Sequence, residues 1–317
     1  MLRSYLSKVA VVCCILGAAA LLTSAQPPEE TKPLVRTVTI PISIFTRQEL
    51  KEKKVDEIID AAELSVMEDK ESQQILSLRS TNDAPITLAV LIQDELVSSF
   101  NLQLKPIGDF IRQLPEGSRV MVGYLRGGSM GTRQRFTTDL SKAADSLRIV
   151  SGSVATAGTG PYGGVAATIK RFEAMPAGRR AILLVSDGFD VTEGEAPGSV
   201  LHAPDLERAI SRAQRTGVAV YSFYFPTGLT ENLGVRSIAG QAGLDRLSYE
   251  TGGRSYSQGS GAPVTLAPFF DDINMALKRQ FSLTYLSTHM KKGYHSVEVK
   301  SSNPEITIRH PKGYYYR

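Results

Sequence analysis

The sequence predicts an α/β fold, a doubly wound and mostly parallel sheet carrying a small N-terminal β module and a C-terminal β-hairpin extension. Three observations predict it. The segments 86–93, 118–125, 179–188 and 217–225 are near-continuous apolar runs, as expected of strands covered by helices on both faces. Between them lie segments with apolar residues at helical spacing, and strands alternating with helices build a parallel sheet. The stretches flanking this region, 35–82 and 289–317, instead show alternating or hairpin-like patterns.

The first 25 of the 317 residues stand apart. Arg3 and Lys8 precede the apolar stretch "VAVVCCILGAAALL", and the small residues "TSA" follow. This order is that of a secretory signal peptide, with cleavage expected after Ala25. The apolar run is short for a membrane span, so an uncleaved anchor is the lesser reading. Both cysteines, Cys13 and Cys14, lie within it, and cleavage leaves no disulfide, thiol nucleophile or thiolate metal site. Cleavage also leaves 34 basic against 32 acidic side chains, a net of +2. That balance gives no electrostatic footprint for nucleic acid. The expected location is periplasmic or extracellular, with no membrane span in the mature chain.

Residues 26–34, "QPPEETKPL", read as a linker. In the β module, Val35, Val38, Ile40, Ile42 and Ile44 mostly alternate, and strands at 63–67 and 73–79 flank the polar turn "EDKES". The charged segment 49–60 reads as a short helix or a loop. The doubly wound region spans 83–288. Strand 86–93 leads to a helix presenting Leu102, Leu104, Ile107, Phe110, Ile111 and Leu114. Strand 118–125 precedes a short edge strand at "QRFTTD", and helices follow at 139–149 and 162–174. After strand 179–188 come a helix at 204–215 and strand 217–225. "GLDRLSYETGGRSY" reads as helix, glycine turn and short strand. A helix at 265–279, with Leu266, Phe269, Phe270, Ile273 and Leu277 inward, precedes strand 281–286.

Few motifs carry chemistry. "GGSMG" matches the G-x-S-x-G nucleophile elbow with Ser129 as nucleophile, but the charged, β-like "TRQRFTTD" follows where an elbow needs a helix. His202, His289, His295 and His310 form no H-E-x-x-H pair, and "GTGPYGG" lacks the Lys-Ser/Thr of a phosphate-binding loop. What remains is a set of oxygen donors at strand ends: Asp94, Glu95, Ser98 and Ser99 after the first central strand, Thr159 before a helix, and Asp187 after the "RRAILLVS" strand. Hard cations such as Mg²⁺ take carboxylates, hydroxyls and waters. The same residue types also serve as helix caps and turn formers.

From "VLIQDELVSS" through "LLVSDGFD" to "YETGGRSY", the order resembles a von Willebrand factor type A domain. The mature chain resembles the secreted bacterial subgroup of VWFA-related Acidobacterial domain proteins, through "LSVMEDKESQQI", "FIRQLPEGSRVMVGYL", "FTTD", "PFFDDINMALKRQFSLTY" and "KGYYY". The resemblance implies a doubly wound sheet, protein–protein interaction without enzymatic activity, and a metal-ion-dependent adhesion site. That site takes D-x-S-x-S after the first strand, a Thr from a middle loop and an Asp after the fourth strand. Asp187 in "SDG" carries over, and Thr159 is the middle-loop candidate with Thr156 nearby. The first motif is incomplete in either register. Begun at Asp94, its serine positions fall on Leu96 and Ser98; begun at Gln93, they fall on Glu95 and Val97. The candidate ligands are therefore Asp94, Ser98, Thr159 and Asp187, for weakly held Mg²⁺ or Mn²⁺ in a degenerate site. A serine hydrolase at Ser129 and a structural envelope protein without a ligand are the alternatives.

Overall fold

The computed structural model describes residues 34–46, 64–81, 84–153, 159–191, 203–231, 234–259 and 261–316. The expected signal peptide, segment 49–60, Thr156 and His202 lie outside these residues. The chain opens with β1 (Arg36–Thr46), β2 (Leu64–Glu68) and β3 (Glu71–Ser80). Asp69 and Lys70 alone join β2 to β3, with φ of 48° and 71°. Positive φ at both central residues is what a two-residue hairpin of the primed type requires. The five-residue turn expected from "EDKES" is thus shorter, because Glu68, Glu71 and Ser72 extend the strands.

The doubly wound part follows with β4 (Ile86–Gln93), a 3₁₀ turn at Ser98–Gln103, α1 (Leu104–Arg112), β5 (Arg119–Arg126), β6 (Ser129–Thr137) and α2 (Leu140–Asp145). It continues with α3 (Tyr162–Arg171), β7 (Arg179–Ser186), α4 (Pro204–Thr216), β8 (Val218–Tyr224), α5 (Gly234–Thr251), β9 (Ser255–Tyr256) and α6 (Ala267–Lys278). The sheet order is β6-β5-β4-β7-β8-β9. All neighbours are parallel except the β5–β6 pair. Numbered within this sheet, the order is 3-2-1-4-5-6, the doubly wound arrangement.

Every residue of β4 is buried, and alternate side chains enter different cores. Leu88, Val90 and Ile92 pack with Ile107 and Phe110 of α1 and with Phe270 and Ile273 of α6. Ala89 and Leu91 pack with Val165 of α3, Leu206 of α4 and Leu247 of α5. This two-sided burial is why β4 reads as a continuous apolar run. Helix α4 carries its own end signals. Pro204 begins it, Asp205 and Glu207 lie in its first turn, and Gly217 ends it at φ 63°. These choices suit the exposed amides and dipole at one end and the left-handed cap at the other.

One sequence expectation shifts, and the reading of "GGSMG" against an elbow holds. Leu102 is 75% exposed, because the helix begins only at Leu104 and the preceding 3₁₀ turn winds at a different period. "GGSMG" is a hairpin rather than an elbow. Gly127 and Gly128, at φ 52° and 72°, join antiparallel β5 to β6, and Ser129 is the exposed first residue of β6, paired with Arg126. An elbow needs strand, turn and helix. This is strand, turn and strand.

The remaining strands, β10 (Gln280–Ser287), β11 (Gly293–Ser301), β12 (Ile306–Arg309) and β13 (Gly313–Tyr316), join β1–β3 in a second, antiparallel sheet ordered β12-β1-β10-β3-β2-β11-β13. Strand pairing therefore crosses both divisions drawn from the sequence, at 82/83 and 288/289. β10 lies between β1 and β3, with Ile42 opposite Phe281 and Leu283 opposite Leu78. Ile40, Ile42, Val66, Leu283, Val297 and Val299 share its core, with Ile306 and Ile308 packed against them. Arg179 at the start of β7 ties the sheets together. Its guanidinium donates to Gln280 Oε1 (2.7 Å), Leu277 O (2.7 Å) and Ala84 O (2.6 Å). No helix among the described residues is long and apolar enough to cross a membrane.

Candidate functional site

The carboxyl ends of β4 and β7 are where a doubly wound sheet places its ligand crevice. There Gln93, at the end of β4, is buried and reaches across to β7. Its Oε1 accepts from Ser186 Oγ (2.6 Å) and from the Asp187 amide (3.1 Å). A neutral side chain thus fastens two central strands at a position where one register of the type A motif would put an Asp.

Asp94 is buried, and its carboxylate already has a cation. Oδ1 accepts from Arg148 Nη1 at 2.7 Å and from the Ser151 amide at 3.3 Å. The guanidinium lies 4.0 Å from the centre of the Tyr124 ring. The Tyr124 hydroxyl donates to Arg148 O (2.8 Å) and accepts from Arg148 N (2.7 Å), fixing that backbone. The hydrogen bond to Asp94 holds the Arg148 pKa above its ordinary value, and burial pushes the Tyr124 phenol up. The Asp94 carbonyl also receives the amides of Ser151 and Gly152.

Beyond Asp94 the loop turns inward. Glu95 is buried, and its Oε1 accepts from the Gly127 amide at 3.0 Å. Leu96 is fully buried and forms an antiparallel bridge with Thr227, while the Val97 amide donates to Pro226 O (3.0 Å). Ser98 follows on the surface, opening the 3₁₀ turn.

Asp187 belongs to a different network. Its Oδ2 accepts from Thr227 Oγ1 (2.8 Å) and Thr230 Oγ1 (3.3 Å), and its Oδ1 from the Phe189 amide (3.2 Å). Burial pushes its pKa up to about 6, against these hydrogen bonds and one with Gln93, which lower it. Gly188 makes the turn at φ 64°, where a Cβ would lie 2.4 Å from Gly240 O. Thr159 is exposed, with its methyl 2.6 Å from where a Cβ on Gly128 would stand.

The structure thus places Asp94, Ser98, Thr159 and Asp187 around the carboxyl edge, but with their oxygens differently engaged. Mg²⁺ wants near-octahedral oxygens about 2.0–2.1 Å away. Here Asp94 faces a guanidinium, Asp187 faces two threonines and an amide, and Leu96 brings no oxygen. As arranged, this donor set does not fit the ion. Sequence reading missed Gln93, Arg148, Thr227 and Thr230. Gln93 was legible as a motif position, whereas Arg148 and the threonines reach the edge only through tertiary contact.

No family model matches the chain, and no curated protein matches it. Solved structures align over part of it. An aerotolerance-related membrane protein from Bacteroides fragilis is 16% identical, covering 61% of this chain and 98% of that one, with a TM-score of 0.44. A von Willebrand factor type A protein from Catenulispora acidiphila is 10% identical, covering 77% and 72%, with a TM-score of 0.43. Manganese-loaded TRAP protein from Plasmodium vivax is 11% identical, covering 74% and 95%, with a TM-score of 0.39. The strand order of this sheet defines a doubly wound α/β fold with an added antiparallel sheet, the fold that the resemblance to a type A domain implies.

Proposed function

We propose that this is an exported, non-enzymatic type A-like protein that binds a protein partner at the carboxyl edge of its parallel sheet, through a degenerate adhesion site that works without a metal. The Asp94–Arg148 pair carries this reading. An internal guanidinium supplies the positive charge that a cation would otherwise bring to that carboxylate. Apolar surface beside it supports a protein partner. Leu102, Ile149 and Val264 are 75%, 68% and 88% exposed. Their segments are tied together, Val150 N to Asn101 Oδ1 (2.9 Å) and Gln103 Nε2 to Val264 O (3.1 Å). Single exposed apolar side chains need no explanation, but grouped ones mark contact surfaces.

The test is a cross-linked pulldown from envelope extract, with and without chelator, using wild type and Leu102→Asp/Ile149→Asp. The expected result is a protein captured equally in both buffers and lost in the variant. Elution by chelator would show metal-dependent binding and overturn the reading. Export is tested separately by mass spectrometry of the mature N-terminus, where Gln26 is the expected first residue.

A further inference from the structure

The second sheet gathers a cluster of titratable groups that no spacing in the sequence announces. Glu68 ends β2, Asp69 opens the hairpin turn, and His289 lies just beyond β10. Pairing of β2 with β11 and of β3 with β10 brings the two parts of the chain together across more than 200 residues. Glu68 is fully buried. Its Oε1 takes three donors: Tyr314 OH at 2.5 Å, Ser287 Oγ at 3.0 Å and Arg36 Nη2 at 3.3 Å. Its Oε2 is buried without a hydrogen bond of ordinary geometry, as are Nδ1 of His289 and the Tyr285 hydroxyl, which interacts with the same carboxylate. A buried carboxylate oxygen left without such a bond costs free energy, and such a group calls for an explanation.

We infer that Glu68, Asp69 and His289 bind a divalent transition-metal ion of the Zn²⁺ type, at a site separate from the edge of the parallel sheet. One ligand atom from each of the three lies within 4.8 Å of the others. Zn²⁺ takes carboxylate oxygen and imidazole nitrogen at about 2.0–2.2 Å, and three protein ligands with an open position is one of its usual forms. A mixed carboxylate–imidazole set favours such an ion over Mg²⁺ or Ca²⁺, which take oxygen alone. Bound to one ion at these lengths, the donors would sit about 3–4 Å apart, somewhat closer than the 4.8 Å within which they now lie.

The surroundings have the form of an outer shell. Metal-binding carboxylates are usually themselves oriented by hydrogen bonds. Asp69 Oδ1 accepts from the Ser296 amide (2.8 Å) and hydroxyl (3.1 Å), and its Oδ2 lies 2.7 Å from His295 Nδ1. Burial opposes ionisation of Asp69, yet His295 and Ser296 together hold its carboxyl below the ordinary value. Arg36 is engaged by Glu68 Oε1, by the His289 carbonyl (2.8 Å) and by Tyr314. The rival is a plain ion pair, in which protonated His289 swings to Glu68 across the 3.9 Å that separates Nδ1 from Oε1.

The experiment uses the purified mature chain, stripped with chelator and titrated with Zn²⁺ by calorimetry, and with Co²⁺ by visible absorption. Expected are one ion per chain, a Co²⁺ ligand-field band, and at least a tenfold loss of affinity in His289→Ala and in Asp69→Asn. Asp94→Asn should leave the affinity unchanged. If Glu68→Gln fails to fold, the other two variants still decide the matter. No stoichiometric binding, or binding unchanged in His289→Ala, would leave the ion pair as the explanation. Loss of binding in Asp94→Asn would move the ion to the sheet edge and equally overturn the inference.

Discussion

Arg148→Ala is the sharpest perturbation of the carboxyl edge. It removes the guanidinium 2.7 Å from the buried Asp94 carboxylate, leaving the Ser151 amide at 3.3 Å as that oxygen's remaining bond. Truncating one member of a fully buried pair costs about 3–5 kcal/mol. Here the arginine side chain is 38% exposed, so water screens the pair and reaches the carboxylate once the arginine is gone. Loss of the stacking on Tyr124 adds about 0.5–1 kcal/mol. The net expectation is destabilisation by about 2 kcal/mol, a fall in Tm of roughly 3–4 °C for a chain of this size. Asp94→Asn in the Arg148→Ala background should recover about half, since no charge is then stranded. Differential scanning calorimetry of wild type, Arg148→Ala, Asp94→Asn/Arg148→Ala and Asp187→Ala, with and without millimolar Mg²⁺, is the assay. Wild type should be insensitive to Mg²⁺, and Arg148→Ala should become stabilised by it. A wild-type Tm raised by Mg²⁺ and made insensitive by Asp187→Ala would refute the reasoning, because Asp94 and Asp187 would then be holding an ion together.

His310 is buried, and burial with the nearby Lys312 pushes its pKa down to about 4, against 6.5 unperturbed. Between those values the unfolded chain binds a proton that the fold refuses, so stability falls as pH drops, by about 3 kcal/mol once pH 4 is reached. Asp187, raised from 3.8 to about 6, contributes the opposite slope over a similar window. Urea denaturation across pH 4–7 should therefore show His310→Gln losing less stability than wild type on acidification, and an identical dependence would contradict the assignment. Gly240→Ala would set a Cβ 2.0 Å from Asp187 O and 3.0 Å from the Phe189 amide, so it should cost about 3 kcal/mol or more, read as a fall in Tm. Ser129→Ala, at an exposed strand start, should change stability by less than about 0.5 kcal/mol. It should also leave fluorophosphonate labelling at background; stoichiometric labelling of wild type lost in the variant would show a nucleophile after all.

Much of the fold is local in origin, and that part is legible in the sequence. β4, β5, β7 and β8 are covered on both faces, so their apolar runs are continuous, and α4 carries Pro204, Asp205 and Gly217 at its ends. Ser129 shows the limit of letters without context. "GGSMG" alone fits two geometries; the β-like residues after it speak for the hairpin, and the antiparallel pairing of β6 with β5 forms it. The flanking strands show another limit. Alternation in β1 and β11 announces one buried face each, but period-two patterning does not name the neighbour, so only the structure joins them through β10, β3 and β2 into one sheet. The carboxyl edge divides in the same way. That Leu96 cannot ligate an ion follows from its side chain alone, whereas the neutralisation of Asp94 depends on Arg148, 54 residues away, held by Tyr124. Glu68 and His289 lie farther apart still, and a carboxylate or an imidazole has the same letter whether it is solvated or buried without a partner. Sequence fixes which groups can bond; packing of distant strands decides which of them meet and which lose their water.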